Sequence, residues 1–169
     1  MIFIIKIESM DNRQYFSEKE NEGYTKLERF NKDKHFFKSI GRTPVGYDYD
    51  ASGVTEDGQP VSIEIKIRDL NLTDDNKVSG RTFIDDTLLI EARKVAGLLI
   101  DYTMTGAIPL YLNFLNNATL IYNFTKLKQK PEKKFFKAQN FGRNGMELGD
   151  RYLLPVNEAY IYRLEEGEQ

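Results

Sequence analysis

A chain of 169 residues, 40% apolar and 30% charged with a net charge of -2, is the size of one ordinary domain, and its composition excludes intrinsic disorder. The absence of cysteine excludes disulfides, thiolate zinc sites and cysteine nucleophiles, and His35 as the only histidine excludes a His-rich metal centre. Any metal would therefore sit mainly on oxygen ligands, and a reducing cytoplasm is the expected compartment.

In chain order, the start "MIFIIKIES" reads as a short strand. It has no basic leader and no small-residue cleavage site, so a signal peptide is not expected. Nor is there the run of roughly 18 to 20 apolar residues that a spanning helix needs. "DNRQYFSEKENEGYTKLERF" spaces Tyr15, Phe16, Tyr24, Leu27 and Phe30 for one helix face, although Gly23 weakens that helix. From His35 the chain turns extended, punctuated by Gly41, Pro44 and Gly46, and Asp57-Gly58 marks a tight turn. "VSIEIKIRDL" then alternates strictly: Val61, Ile63, Ile65 and Ile67 share one face, and Ser62, Glu64, Lys66 and Arg68 the other.

"NLTDDNKVSGRTFIDD" reads as a long loop, a length usually tied to function. A helix is expected next, capped by Asp85 or Asp86, with Leu88, Ala92, Val95, Leu99 and Tyr102 as its packing stripe down to Gly106. Glu91 and Lys94 fall three apart on it, the spacing of a surface pair. "IPLYLNFL" and "TLIYNFT" form a hairpin across Asn116-Asn117, and "RYLLPVNEAYIYRL" adds an extended segment or a short helix. No repeat or linker divides the sequence, so one domain over residues 1–169 is expected.

The chemistry lies on the alternating strand, where Glu64 and Lys66 project the same way about 6.6 Å apart. If the segment holding Asp50 pairs with this strand through the Asp57-Gly58 turn, two carboxylates meet beside one ammonium. Magnesium takes such ligands, one or two carboxylates with water and phosphate oxygens completing the shell. A bound ion of this kind polarises a phosphoryl oxygen and acidifies water. Lys66 would orient or deprotonate that water, or offset charge on the phosphate. The bland alternative is a wet sheet face carrying ordinary charges.

Asp50, the turn, the isoleucine-laced Glu64-Ile65-Lys66 strand, the "DDTLLIEARKVAGLLIDY" helix and the "IPLYLNFL" strand, taken in that order over roughly residues 15 to 125, resemble the PD-(D/E)XK nuclease superfamily. The resemblance implies an α/β restriction-endonuclease-like core, a central mixed sheet flanked by helices. It also implies magnesium or manganese as cofactor and hydrolysis of phosphodiester bonds in nucleic acid, DNA foremost. Asp50 matches the first acidic position, Glu64 the second and Lys66 the lysine. Glu28 or Glu22 stands where many members add a first-helix glutamate, and Lys94 where a second-helix residue joins the site. Tyr49 replaces the proline of the family name, and Asp48 competes with Asp50. Arg68 and Lys94 would steady the phosphate. Members that cut duplexes often work in pairs, which makes a homodimer an expectation.

"KLKQKPEKKFFKAQNFGR" carries seven basic residues against one acid, Glu132. Lys133, Lys134, Lys137 and Arg143, with Phe135, Phe136 and Phe141 among them, suit a backbone-contacting arm. Lys77 and Arg81 are placed beside the site by the long loop. The alternative is a binding module of the same fold that does not cut.

Overall fold

The computed structural model describes the backbone of residues 12–44, 46–136 and 149–165, and side chains from Ser17 onward within them. The expected strand at residues 1–7 lies outside these residues. A long helix, α1 (Asn12–Lys34), leads into β1 (Phe37–Arg42), β2 (Ala51–Thr55) and β3 (Pro60–Ile67). Three two-residue strands follow, β4 (Asn71–Leu72), β5 (Val78–Ser79) and β6 (Ile84–Asp85), then β7 (Thr87–Glu91) and α2 (Ala92–Thr105). After them come β8 (Ile108–Phe114), β9 (Ala118–Asn123), β10 (Glu132–Phe136), β11 (Gly149–Pro155), a 3-10 turn at Val156–Glu158, and β12 (Tyr160–Arg163).

The result is an α/β structure around a mixed six-stranded sheet in the order β1-β2-β3-β8-β9-β12. Neighbours run antiparallel except β3 and β8, which are parallel, so the chain between them must cross over the sheet. The β2–β3 turn falls at Asp57-Gly58 as expected, with Gly58 at φ +86. The β8–β9 hairpin closes at Asn116-Asn117, where the Leu115 N–H donates to the Ala118 carbonyl at 2.8 Å. The tail, expected to add one extended segment or a short helix, forms two strands on either side of the 3-10 turn, β11 in a second sheet (β10-β11-β7) and β12 at the edge of the first.

Each face of the main sheet buries its own apolar layer. Leu27 and Phe30 of α1 pack with Val61, Ile63, Leu110, Leu112, Phe114 and Ile121 on one side. On the other, Val95 of α2 packs with Leu88, Ile90, Leu154, Tyr111, Leu120 and Tyr122. β8 is covered on both faces, which explains its nearly unbroken apolar sequence. Gly23, expected to weaken α1, is instead where α1 crosses β3: an added Cβ would lie 3.1 Å from Ile65 Cγ2. Glycine there lets the helix approach the sheet closely. At the other end of α1, the Asn31 amide exchanges two hydrogen bonds with the Phe37 backbone, at 2.7 and 3.0 Å, and so binds the helix to β1.

Two expectations change. The segment 71–86 is not a bare loop, because β4, β5 and β6 form a small antiparallel sheet. Asn117 anchors it by accepting from the Leu72 N–H at 2.7 Å and donating to the Leu72 carbonyl at 2.9 Å. The second helix starts at Ala92, not at Asp85 or Asp86. The Asp85 carboxylate is used locally, accepting from the Thr87 N–H and hydroxyl at 3.0 and 2.9 Å, and residues 87–91 pair with β11. Sheet pairing outweighs the helical spacing there. Consequently Leu88 belongs to a strand, and Leu99 and Tyr102 are exposed, leaving Val95, Gly97 and Leu98 as the buried face of α2. Gly106 ends the helix as expected, at φ +76 with its N–H on the Tyr102 carbonyl.

Candidate functional site

The β2–β3 register pairs Ala51 with Ile63, which brings Asp50 opposite Glu64. Asp50 stands where β2 ends. Its N–H still donates to the Ile63 carbonyl at 2.9 Å, but its own carbonyl accepts from Thr43 N–H, and its Oδ2 takes the Ile65 N–H at 2.8 Å. The side chain thus continues the hydrogen-bond ladder after the backbone has turned away. This fixes one carboxylate against the backbone of the strand that carries the other. The expected pairing of Asp50 and Glu64 through the Asp57-Gly58 turn is what the chain forms.

Glu64 is 8% exposed, on the face covered by α2. Burial first, and then the charge of Asp50, push its carboxyl up to about 7 from 4.5, while Lys94 and, more weakly, Lys66 pull it down. The Lys94 ammonium straddles the carboxylate, 3.1 Å from Oε1 and 3.2 Å from Oε2. Lys94 therefore reaches the acidic pair from the opposing helix. Its surface pairing with Glu91 does not form, because Glu91 engages Arg93 at 2.7 Å. Lys66 points to the same face, exposed, with no ion pair or hydrogen bond among the described residues.

Asp48 is not the partner acid. Residues 47–50 form no regular strand, and Asp48 lies against α2, where a Cβ on Gly97 would come within 2.6 Å of its own Cβ. One turn further along α2, the Ser62 hydroxyl donates to Asp101 Oδ2. Three contacts therefore run down the helix: Lys94 on Glu64, Gly97 on Asp48, and Asp101 on Ser62.

Arg68 does not point to a phosphate. Its Nε donates to Asn113 Oδ1 at 2.8 Å, and its Nη2 donates to the Tyr111 hydroxyl at 2.8 Å and to the Leu89 carbonyl. The guanidinium clamps the end of β3 to β8 and β7, a role visible only once β7 is known to be a strand. Glu28 does not complete a three-carboxylate set, since among the described residues no group of three His, Cys, Asp or Glu side chains converges to hold a metal. It sits exposed on α1, which covers the opposite face of the sheet, and its charge is felt at Tyr24. Glu22 pairs with Lys19 at 3.1 Å. Lys77 pairs with Asp75 at 3.7 Å, and Arg81 is exposed near the small sheet; no contact brings either to Glu64.

The basic arm is partly visible. β10 forms the edge of the second sheet with all five residues exposed, Phe135 among them at 60%. Lys133 lies 3.6 Å from Asp150 and Lys134 3.9 Å from Glu132. Lys137, Phe141 and Arg143 lie outside the described residues.

No family model, curated protein or solved structure matches this chain. What the site can do follows from its own residues. A buried carboxylate that resists ionisation beside a second carboxylate is a place where added positive charge is stabilising. Two such groups meet what magnesium usually asks of a protein.

The raised carboxyl gives a pH dependence of stability. The folded value of about 7 lies above the ordinary 4.5, so the contribution of Glu64 is fully present below about pH 4.5 and lost as pH rises through 7. The shift corresponds to on the order of 3 kcal/mol. Urea unfolding at pH 5 and pH 8 is expected to show the wild type losing stability relative to Glu64→Gln. Equal losses in the two proteins would show that Glu64 does not titrate in this window.

Proposed function

We propose that this protein is a magnesium- or manganese-dependent nuclease of the PD-(D/E)XK type, acting on phosphodiester bonds of DNA. The observation that carries this is the juxtaposition of Asp50 and buried Glu64 across one antiparallel register, with Lys66 on the same face. The layout of the main sheet supports it: α1, three antiparallel strands and then, after the intervening short strands β4–β6 and β7 of the other sheets, α2 and a strand parallel to the third. That is the order the family resemblance implies. Among the described residues no helix is long and apolar enough to cross a membrane.

Asp50 and Glu64 would hold the ion, with water and phosphate oxygens completing its shell. When bound, it supplies Lewis-acid polarisation of the phosphoryl oxygen and an acidified water. Lys66 offers an exposed ammonium two residues beyond Glu64, where it attracts the phosphate and orients the attacking water. Lys94 fixes the Glu64 carboxylate from α2 and balances its charge. β10 presents Lys133 and Lys134 as phosphate contacts and Phe135 as a stacking face. The protein is expected to nick supercoiled plasmid DNA when magnesium or manganese is added and not in chelator; no cleavage with any divalent ion would end the proposal.

The Lys94–Glu64 ion pair favours a second reading. A lysine already neutralises the acidic pair, as it would in a module that binds nucleic acid on the same frame without cutting. Salt-sensitive DNA binding with no cleavage would select it.

A further inference from the structure

The Lys94 ammonium stands where a cation bound to Glu64 would stand. Nζ is 3.1 Å from Oε1 and 3.2 Å from Oε2, so it is shared almost equally by the two oxygens. A magnesium ion lies about 2.1 Å from its ligand oxygen. Anywhere around Oε1 at that distance, it would be within about 5 Å of the ammonium. Glu64 is 8% exposed, so little water screens two positive charges brought that close, and they repel. Lysine and divalent ion therefore compete for one carboxylate.

The surroundings let the lysine give way while the ligands stay. α2 is held on the sheet by two further contacts, Gly97 against Asp48 and Asp101 on the Ser62 hydroxyl, so the helix need not move. Lys94 has a flexible four-carbon stem, and its side chain is 22% exposed against 11% for that of Glu64. Glu91 lies three residues back on the chain, and its partner Arg93 has a side chain 74% exposed, a surface pair that yields at little cost. The acids have less freedom. Asp50 Oδ2 is fixed on the Ile65 N–H at 2.8 Å, and Glu64 is buried on β3.

We propose that Lys94 is a placeholder cation, which neutralises Glu64 in the metal-free protein and surrenders the carboxylate to the divalent ion, swinging out toward solvent and Glu91. The inference rests on the metal-dependent reading of the site. It makes the lysine an internal competitor that sets how much ion the site needs, and not the permanent neutraliser of the binding-module reading.

The test uses the full-length protein without nucleic acid, at one pH and ionic strength, with manganese and magnesium as probes. Lys94→Met keeps the stem and removes the charge. It is expected to bind manganese at least about fivefold more tightly than the wild type, with free ion counted by its electron paramagnetic resonance signal. Lys94→Arg keeps a cation on the carboxylate and should bind no more tightly than the wild type. In the wild type itself, acetylation of Lys94 followed by mass spectrometry should speed up severalfold when magnesium is added, and in Glu64→Gln it should not respond to the ion. If Lys94→Met does not fold, the wild-type labelling decides alone. Manganese bound equally or more weakly by Lys94→Met, or a Lys94 equally protected with and without magnesium, overturns the proposal. Tighter binding and faster labelling without plasmid cleavage uphold the exchange and remove the nuclease reading; cleavage by a protein whose Lys94 stays protected removes the exchange alone.

Discussion

Glu64→Gln is expected to remove divalent-ion-dependent DNA cleavage by at least about 100-fold while making the protein more stable at pH 8. The two effects have one cause. Glutamine keeps the volume and burial of Glu64 and can still accept a hydrogen bond from Lys94, but it carries no charge to repel Asp50. The burial and repulsion that push the carboxyl up to about 7 are costs the wild type carries at alkaline pH, and the substitution relieves them. With the charge goes the ligand. Asp50→Asn should match the loss of cleavage with a smaller gain in stability, because the asparagine carbonyl can still take the Ile65 N–H that Oδ2 accepts at 2.8 Å. Lys66→Met should lower cleavage by about 10²-fold or more with little effect on stability, since its ammonium has no partner among the described residues. The double variant Asp50→Asn/Glu64→Gln should be no slower than either single one, as groups acting as a unit are not additive. Plasmid nicking at pH 8 with urea unfolding of the same preparations checks all of this. A Glu64→Gln protein that cuts at the wild-type rate would remove the catalytic role.

Arg68→Ala is expected to cost about 2–5 kcal/mol of folding stability. The guanidinium serves three acceptors on two strands: Asn113 Oδ1 and Tyr111 Oη on β8 and the Leu89 carbonyl on β7. Removing it leaves the buried Asn113 without a partner for Oδ1, when its Nδ2 already has none among the described residues. An unsatisfied buried polar atom costs more than the bond it loses. Burial also raises the Tyr111 phenol, with Arg68 opposing it, so the hydroxyl loses its closest cation. Arg68→Lys should recover only part of the loss, because an ammonium cannot reach in the planar fork that serves separated acceptors. Had Arg68 bound phosphate, as the family resemblance implies, its loss would instead weaken DNA binding and leave stability unchanged. Urea unfolding separates these outcomes.

The sequence made the site strand legible because its alternation is strict and its turn residues are unambiguous. Val61, Ile63, Ile65 and Ile67 declare one face and Asp57-Gly58 marks the hairpin, which allows Asp50 to meet Glu64; the register that selects Asp50 over Asp48 comes from the structure. Lys94 was placed near the site only by family resemblance, and the geometry brings it to Glu64 directly. What the sequence concealed was tertiary in origin. Residues 87–91 have helical spacing but pair with β11, whose position about sixty residues later leaves no local signal. Arg68 looks like one more outward charge on a strand until Leu89 and Tyr111 are folded against it. Glu28 has the chain position of a first-helix ligand, yet α1 covers the other face of the sheet. The Asp101–Ser62 contact joins residues 39 apart, and no local pattern announces it.

The parallel contact of β3 with β8 sets an order of assembly. Asp50 and Glu64 are brought together by a short turn, which demands little chain entropy, whereas Lys94 arrives with the whole crossover between β3 and β8. In a nascent hairpin the two acids face each other before their counter-ion has come. Dissolved cations that shield this encounter would therefore act on the speed of folding as well as on the finished site.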